Sequence, residues 1–472
     1  MKSRLVYKFI GKVLVGFSIL FILPTIVALI KHENIIPFFI PQVISLLLGL
    51  LLSRIDTRNS SYYAKDGFYI VTFSWIIISL IGSLPFIING DCGVVDAIFE
   101  TVSGFTTTGA TIFTDVENIN KSILFWRSFS HFIGGMGVLA FVMTVIPLAS
   151  KDKSMHLLKA EMPGVKVEKM VPKVKETLMY LYGIYIGLTL TEVILLFISG
   201  LNLFDSILLS FGTAGTGGFS VLNSSLASYS DFSKIIVAIF MFLFGVNFNI
   251  YFLILMRDIK DIFKSEELRV YITLYVIAVL FVILNTINII GNIKETIIEA
   301  IFHVSSFMTS TGYSIGNVDI YPTSCKVMIL FLMLISACSG STCGGFKISR
   351  LIISFKDILR SLRRIVYPNR VENITFEGKK VSEDIVKSTN IFLLLYAVII
   401  ITMMFIIGLD GHSLETTLNA VFTTFANVGL CFGIDNFSTF SNVSKIVMSI
   451  GMLMGRLEVF PIITIISDFT RN

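Results

Sequence analysis

The sequence predicts an all-α polytopic membrane protein: four pseudo-repeats of helix, short pore helix with filter loop, and helix around one central pore, plus two extra N-terminal transmembrane helices. Three observations predict it. Apolar residues make up 54% of the 472-residue chain and charged residues only 15%, with a mean hydropathy of +0.83. Soluble domains carry about 25% charge, so an ordinary globule, a disordered chain and a large soluble domain are all excluded. Ten apolar runs recur, each near the roughly 20 residues that span a bilayer. Between them lie shorter apolar stretches that end on similar Gly-bearing segments.

The runs lie near 9–30, 36–53, 67–88, 123–148, 178–200, 234–256, 270–290, 326–352, 388–409 and 443–467. The first is a full-length span without a small-residue cleavage site, so no cleavable signal is expected. Ten crossings put both termini on one side. The hydrophilic connections alternate in charge: one set holds 28 of the 37 Lys and Arg residues, including seven Lys in 151–175 and nine basic residues in 350–387. The opposite set holds seven basic residues against 14 acids, Glu100 and Asp96 among them. By the positive-inside rule both termini are predicted to be cytoplasmic. The acidic outer face would concentrate cations at the mouth of a pore.

Internal repeats carry the strongest functional signal. DAIFETVSGFTTTGA (96–110) and EAIFHVSSFMTSTGY (299–313) share seven of their first 14 residues at matching places in the topology. FDSILLSFGTAGTGG (204–218) and TTLNAVFTTFANVGL (416–430) are weaker counterparts. Each stretch is too short to cross, which predicts a descending helix followed by a non-helical segment. The division follows as 1–60 for the N-terminal pair, then units at 61–150, 151–260, 261–370 and 371–472. The segments end in Thr107-Thr108-Gly109, Gly215-Thr216-Gly217, Ser310-Thr311-Gly312 and Asn427-Val428-Gly429. Irregular backbone at membrane depth survives only where protein buries it or water lines it. Glycine permits the dihedrals that turn carbonyls toward an axis, and four such segments could replace the water shell of K+. Only the third follows its glycine with Tyr (Tyr313), so the cage is expected to be shorter and less stringent than a TVGYG filter.

The eighth run is interrupted by ISACSGSTCGGFK (335–347). Ser339, Gly340, Ser341, Thr342, Gly344 and Gly345 hold a helix poorly, which predicts an intramembrane loop placed to gate. Arg456 lies deep in the last run, where a charge needs a partner or an aqueous cavity. Glu458, two residues on, does not share its helix face, so Arg456 is expected to reach the carbonyls of the loop. Glu192 in the fifth run receives no role. The five Cys form no disulfide or zinc pattern, and Cys338 and Cys343 read as small buried thiols. The five His are scattered, and no constellation for catalysis is present at membrane depth, so an enzyme is not expected.

These features closely resemble the Trk/Ktr/HKT superfamily of potassium uptake proteins over nearly the whole chain. The matching stretches are SGFTTTGATIF (103–113), GTGGFS (215–220), STGYS (310–314), NVGLCFG (427–433), CSGSTCGGFK (338–347), LLKAEMPG (157–164) and GRLEVFP (455–461). The extra N-terminal spans and the AEMPG loop look like the TrkH branch. The resemblance implies potassium uptake across a bacterial plasma (inner) membrane, surrounded by lipid. It implies a homodimer with one pore per subunit, and a cytoplasmic TrkA-type ring that binds nucleotide, no cofactor being expected in this chain and no nucleic acid as partner. It also places the gate on 338–345 and Arg456. The basic loops 151–175 and 350–387 are the expected docking surface for the ring. A KtrB-like sodium-dependent transporter and the ion-translocating subunit of a potassium-pumping ATPase stay open as alternatives, as does coupling to protons or sodium.

Overall fold

The computed structural model describes residues 3–56, 64–137, 174–257, 262, 264–369, 372–434 and 436–471. The AEMPG stretch, most of the 151–175 basic loop and the second half of the fourth apolar run lie outside the described residues. Among the described residues the regular structure is helical, apart from one short hairpin. The N-terminal span is nearly continuous, α1 (Ser3–Leu20) and α2 (Ile22–Ile30), and returns as α3 (Ile36–Ser53). Gly11 and Gly49 let α1 and α3 cross closely, since a Cβ on Gly49 would meet the Val15 amide nitrogen at 2.8 Å. The pair is anchored on the next unit by aromatic packing: Phe21 stacks on Trp126 with ring centroids 4.7 Å apart.

The first unit comprises α4 (Ala64–Gly82), α5 (Leu84–Asn89), α6 (Val94–Phe105) and α7 (Lys121–Gly135). The second comprises α8 (Val174–Ile198), α9 (Leu203–Gly215), α10 (Asp231–Phe244) and α11 (Phe248–Leu255). The third has α12 (Glu266–Ile290), α13 (Ile293–Met308), α14 (Thr323–Ile335) and α15 (Ile348–Val366), followed by the hairpin β1 (Thr375–Phe376) and β2 (Lys379–Lys380). The fourth has α16 (Glu383–Ile407), α17 (Leu414–Phe425), α18 (Asn442–Arg456) and α19 (Val459–Arg471). Local chemistry starts several of these helices. Asn202, Asn292, Ser230, Ser413 and Ser441 each accept a backbone N–H of the first turn, as capping residues do. Glu33, in the α2–α3 link, accepts the Lys121 and Ser122 amides at 2.8 and 2.9 Å and so caps α7 from another element.

The short helices pack in a closed cycle. Helix α9 lies on α7, α13 on α10, α17 on α14, and α6 returns to α18. Each rests on the helix that follows the Gly-bearing segment in the unit before it. Ion pairs staple three of these seams: Lys294–Asp231 at 2.6 Å, Lys326–Glu415 at 3.2 Å and Lys445–Asp96 at 2.6 Å. The α7–α9 seam is aromatic instead, with Phe132 and Phe211 centroids 4.6 Å apart. The long helices α8, α12 and α16 turn Ile198, Leu284, Leu394 and Phe405 outward with 65–75% exposure, the surface a bilayer covers.

Two apolar runs that read as single spans are bent. Helices α10 and α11 meet at 91° and α18 and α19 at 116°. The eighth run is broken by the loop, as expected, with α14 ending at Ile335 and α15 starting at Ile348. Among the described residues six helices are long and apolar enough to cross, or eight if each bent pair counts as one.

Candidate permeation pathway

The four short helices end in the same way. Thr107, Thr216, Ser310 and Asn427 adopt left-handed φ of 55°, 55°, 53° and 57°. The next amide reaches back five residues: Thr108 to the Ser103 carbonyl, Gly217 to Gly212, Thr311 to Ser306 and Val428 to Thr423, each at 2.8 Å. This is the Schellman termination, here using non-glycine residues at the left-handed position. One residue further on, Gly109, Gly218, Gly312 and Gly429 return to positive φ, 75–83°. The second segment thus runs one residue later than the spacing suggested: Thr216-Gly217-Gly218 is the counterpart of Thr107-Thr108-Gly109. Gly215 is the last residue of α9 and packs against the His131 carbonyl. Three glycines within 215–218 made that register ambiguous in sequence.

The four segments face one another in a ring. A Cβ on Gly109 would run into the carbonyl oxygen of Gly217, one on Gly218 into that of Thr311, one on Gly312 into that of Val428, and one on Gly429 into that of Thr108. The middle carbonyl of every segment therefore lies against the glycine of its neighbour, and the cycle closes after four. The hydroxyls of Thr108 and Thr311 brace the segments. Thr108 Oγ1 lies 2.8 Å from Thr106 Oγ1 and accepts Asn427 Nδ2 at 2.8 Å. Thr311 Oγ1 lies 2.7 Å from Thr309 Oγ1. Thr107 Oγ1 and Asn427 Oδ1 are buried without a hydrogen-bond partner among the described residues.

Side chains behind the ring hold it in place. Ser306 donates to the Tyr313 carbonyl at 2.6 Å and Thr423 to that of Leu430 at 2.7 Å. The second segment has Gly212 at this place, and a Cβ there would collide with the Tyr313 hydroxyl. That hydroxyl donates to the Leu209 and Phe219 carbonyls at 3.1 and 3.3 Å, so Tyr313 braces the neighbouring segment. Glu100, assigned to the acidic outer set by sequence, is in fact fully buried. It pairs with Arg127 at 2.8 Å and accepts the Ile112 amide at 2.9 Å. His303 occupies the matching place in 299–313 and accepts the Ile315 amide at 3.4 Å. Sequence reasoning missed Arg127, His303 and this use of Glu100; polar residues at one aligned position of two buried helices were the available signal. Removing one partner of a buried ion pair costs about 3–5 kcal/mol. Glu100→Ala is expected to lower the thermal midpoint of the detergent-solubilised protein sharply, and Glu100→Gln much less, in a fluorescence-detected unfolding scan.

On the other side of the ring lies the loop after Ile335. Gly344 N donates to Ser310 Oγ at 3.1 Å, and a Cβ on Gly344 would sit 2.8 Å from Asn427 Oδ1. Phe248 N, at the α10–α11 bend, donates to the Gly340 carbonyl at 3.2 Å, and Thr342 Oγ1 to that of Phe244 at 3.4 Å. Ser341 closes on the Cys338 carbonyl at 2.6 Å. Ser339 N reaches Glu267 at 2.7 Å, and Gly345 holds φ 77° against Ser336. Lys347 Nζ donates to the Cys343 carbonyl. Arg456 completes the group, donating to the Thr342 carbonyl at 2.5 Å and to those of Gly134 and Gly135 at 2.5 and 2.8 Å. Glu458 turns away after the α18–α19 bend and pairs with Arg350. A cavity of about 60 Å³ remains here, bordered by Gly135, Gly344, Lys347 and Arg456. The structure thus sets four three-residue segments against one another, with Gly344 of the loop against Ser310 and Asn427 and Arg456 on the Thr342 carbonyl, while Gly215 stays in the last turn of α9.

Fold and site together define a multi-pass membrane protein of ion-transport type. The family model of the TrkH cation transport proteins matches residues 32–470. The Trk system potassium uptake protein TrkH of Escherichia coli is 32% identical over 98% of both chains, and the TrkG protein of that system is 30% identical over 96% and 95%. The crystal structure of the potassium transporter TrkH from Vibrio parahaemolyticus superposes with a TM-score of 0.89 over 98% of both chains, at 28% identity. The chain belongs to the TrkH family, whose members are ion transporters and not enzymes.

Proposed function

We propose that this protein takes up potassium through one pore per chain, with Thr107–Gly109, Thr216–Gly218, Ser310–Gly312 and Asn427–Gly429 as the selectivity filter. The closed ring in which the carbonyls of Thr108, Gly217, Thr311 and Val428 each face a neighbouring glycine carries this reading. Four inward carbonyls, with the C-terminal ends of four helices aimed at them, offer a dehydrated cation oxygen ligands and partial negative charge. One such ring gives fewer strong sites than a TVGYG filter. K+ and Rb+ are therefore favoured over Na+ and Li+, moderately. The four units at 61–150, 151–260, 261–370 and 371–472 each supply one quarter of the pore.

In this reading the end that bears the basic connections faces the cytoplasm of a bacterium, and both termini lie there. The 336–347 loop closes the path beneath the filter and Arg456 latches it. A TrkA-type nucleotide-binding ring docks on the basic connections and controls the latch, and two chains associate as a homodimer. Within 350–387, Arg360 already pairs with Glu383 at 2.5 Å and Arg363 with Glu372 at 3.5 Å. Exposed Arg364 and Lys380 are the better points of contact for a partner. Reversal potentials of the purified chain in proteoliposomes test the function: K+ and Rb+ permeability above that of Na+ and Li+ is expected, and equal values for all four remove the filter assignment.

A further inference from the structure

We infer that Glu267 is the positioning residue that holds the 336–347 loop beneath the filter, and that Glu377 of the β1–β2 hairpin holds Glu267 in turn. The inference rests on the reading of this loop as the gate, and it adds what ties the loop to the basic end of the molecule. Ser339 N is a buried donor in a loop that has left helical geometry, so it needs an acceptor from elsewhere. Glu267, 4% exposed in the first turn of α12, supplies it with Oε1 at 2.7 Å. The other carboxylate oxygen accepts Asn247 Nδ2 at 3.3 Å. Asn247 sits in the α10–α11 bend, where its side chain caps α11 through the Asn249 amide at 3.0 Å. One buried carboxylate therefore ties the loop to the bend that also binds Gly340.

The backbone of Glu267 is fixed by a different element. Its amide and the Ser265 hydroxyl both donate to Glu377 Oε1 at 3.0 Å. Glu377 and Gly378 form the two-residue turn between β1 and β2, both with positive φ, 52° and 70°, as a type I′ hairpin requires. Lys356 of α15 locks the hairpin to the same place, donating to the Thr375 carbonyl at 2.8 Å and pairing with Glu266 at 2.5 Å. A small apolar cluster, Ile353, Ile374, Val381 and Val386, seats it. The path from hairpin turn to loop is thus continuous: Glu377, the start of α12, the Glu267 carboxylate, Ser339. Displacing the hairpin moves the acceptor on which the loop hangs.

The loop carries its own reporters, since Cys338 and Cys343 are 0% and 4% exposed. The test uses the full chain in proteoliposomes with Cys92, Cys325 and Cys431 replaced by Ser, and measures labelling of the two loop thiols by a charged methanethiosulfonate, alongside basal K+ flux. Glu267→Leu keeps the bulk and removes both acceptors. It is expected to raise labelling about tenfold, the factor given by loss of one buried charge-assisted hydrogen bond. Glu267→Gln keeps an acceptor for Ser339 N but loses the charge and the acceptor for Asn247, and is expected to raise labelling clearly less than Glu267→Leu does. Glu377→Asn tolerates positive φ but is too short to reach Ser265, and is expected to raise labelling by a smaller factor while leaving the fold intact. Unchanged labelling in both Glu267→Leu and Glu377→Asn overturns the inference. So does equal labelling in Glu267→Gln and Glu267→Leu, because acceptance from Ser339 would then not matter. Raised labelling with unchanged flux keeps the tether and removes the gate reading instead.

Discussion

Alanine at Gly109, Gly218, Gly312 or Gly429 is expected to collapse K+ over Na+ discrimination while leaving insertion and yield near normal. All four sit at φ 75–83°, where a Cβ is strained whatever the space around it. The new methyl would also meet a backbone carbonyl of the next segment, a group that cannot rotate out of the way. Strain of this kind costs on the order of 1–3 kcal/mol, and each 1.4 kcal/mol is about a tenfold change in an equilibrium. The carbonyl that yields is the one proposed to ligand the ion, so the cost falls on selectivity before stability. Gly217→Ala is the contrasting case. Its Cβ would collide with the His131 ring rather than with backbone, and its φ is not in the left-handed region. Gly217→Ala combined with His131→Ala should therefore recover discrimination, whereas no side-chain truncation rescues Gly109→Ala. Permeability ratios from bi-ionic reversal potentials decide both; unchanged ratios in all four single variants remove the ring from the selectivity mechanism.

Much of this site was legible because membrane insertion imposes simple rules. Span lengths follow from bilayer thickness, so 36–53 and 67–88 coincide with Ile36–Ser53 and Asp66–Asn89 to within a residue or so. A Gly-bearing segment after a short apolar helix signals irregular backbone that something must bury. What was not legible depends on contacts distant in sequence. The bend at 245–247 lies in an apolar run without Pro. It exists because the Gly245 carbonyl accepts Cys338 N at 3.1 Å and Asn247 caps a new helix while reaching Glu267. Lys121 and Ser122 open α7 on a carboxylate from the α2–α3 link, which no local capping rule finds. By sequence Glu100 and Arg127 count only among the charges of the outer connections, although each lies in an apolar stretch. Their burial becomes intelligible only when the Ile112 amide and the face of Phe219, 4.1 Å from the Arg127 guanidinium, are brought together. Glu458 misses Arg456 for a reason the helix rule does not contain: it lies outside α18, in the break before α19, with φ 56°, and turns to Arg350.

Arg456→Ala is expected to raise basal K+ flux severalfold and to make it less dependent on any cytoplasmic partner. The guanidinium spans two structures at once, the Thr342 carbonyl of the loop and the Gly134 and Gly135 carbonyls at the end of α7. A hydrogen bond from a charged donor contributes roughly 1.5–3 kcal/mol. The C-terminal carbonyls of a helix carry partial negative charge that favours a cation, so α7 is a firm anchor for the latch. The same charge, bordering the cavity below the ring, opposes entry of a second cation. Both effects favour the closed state, and alanine removes both. Arg456→Lys keeps the charge but not the planar fork; it cannot bridge loop and helix together, and its flux should fall between the parent and Arg456→Ala. Deleting residues from Ser339 to Gly344 removes the latched element while leaving Arg456 of α18 bonded to the end of α7. If latch and loop act as one device, the double variant gains less than the sum of the two single changes. Flux assays in proteoliposomes on the two single variants and the double variant measure that difference. A fall in flux in either folded single variant would make the loop a support for the filter rather than its gate.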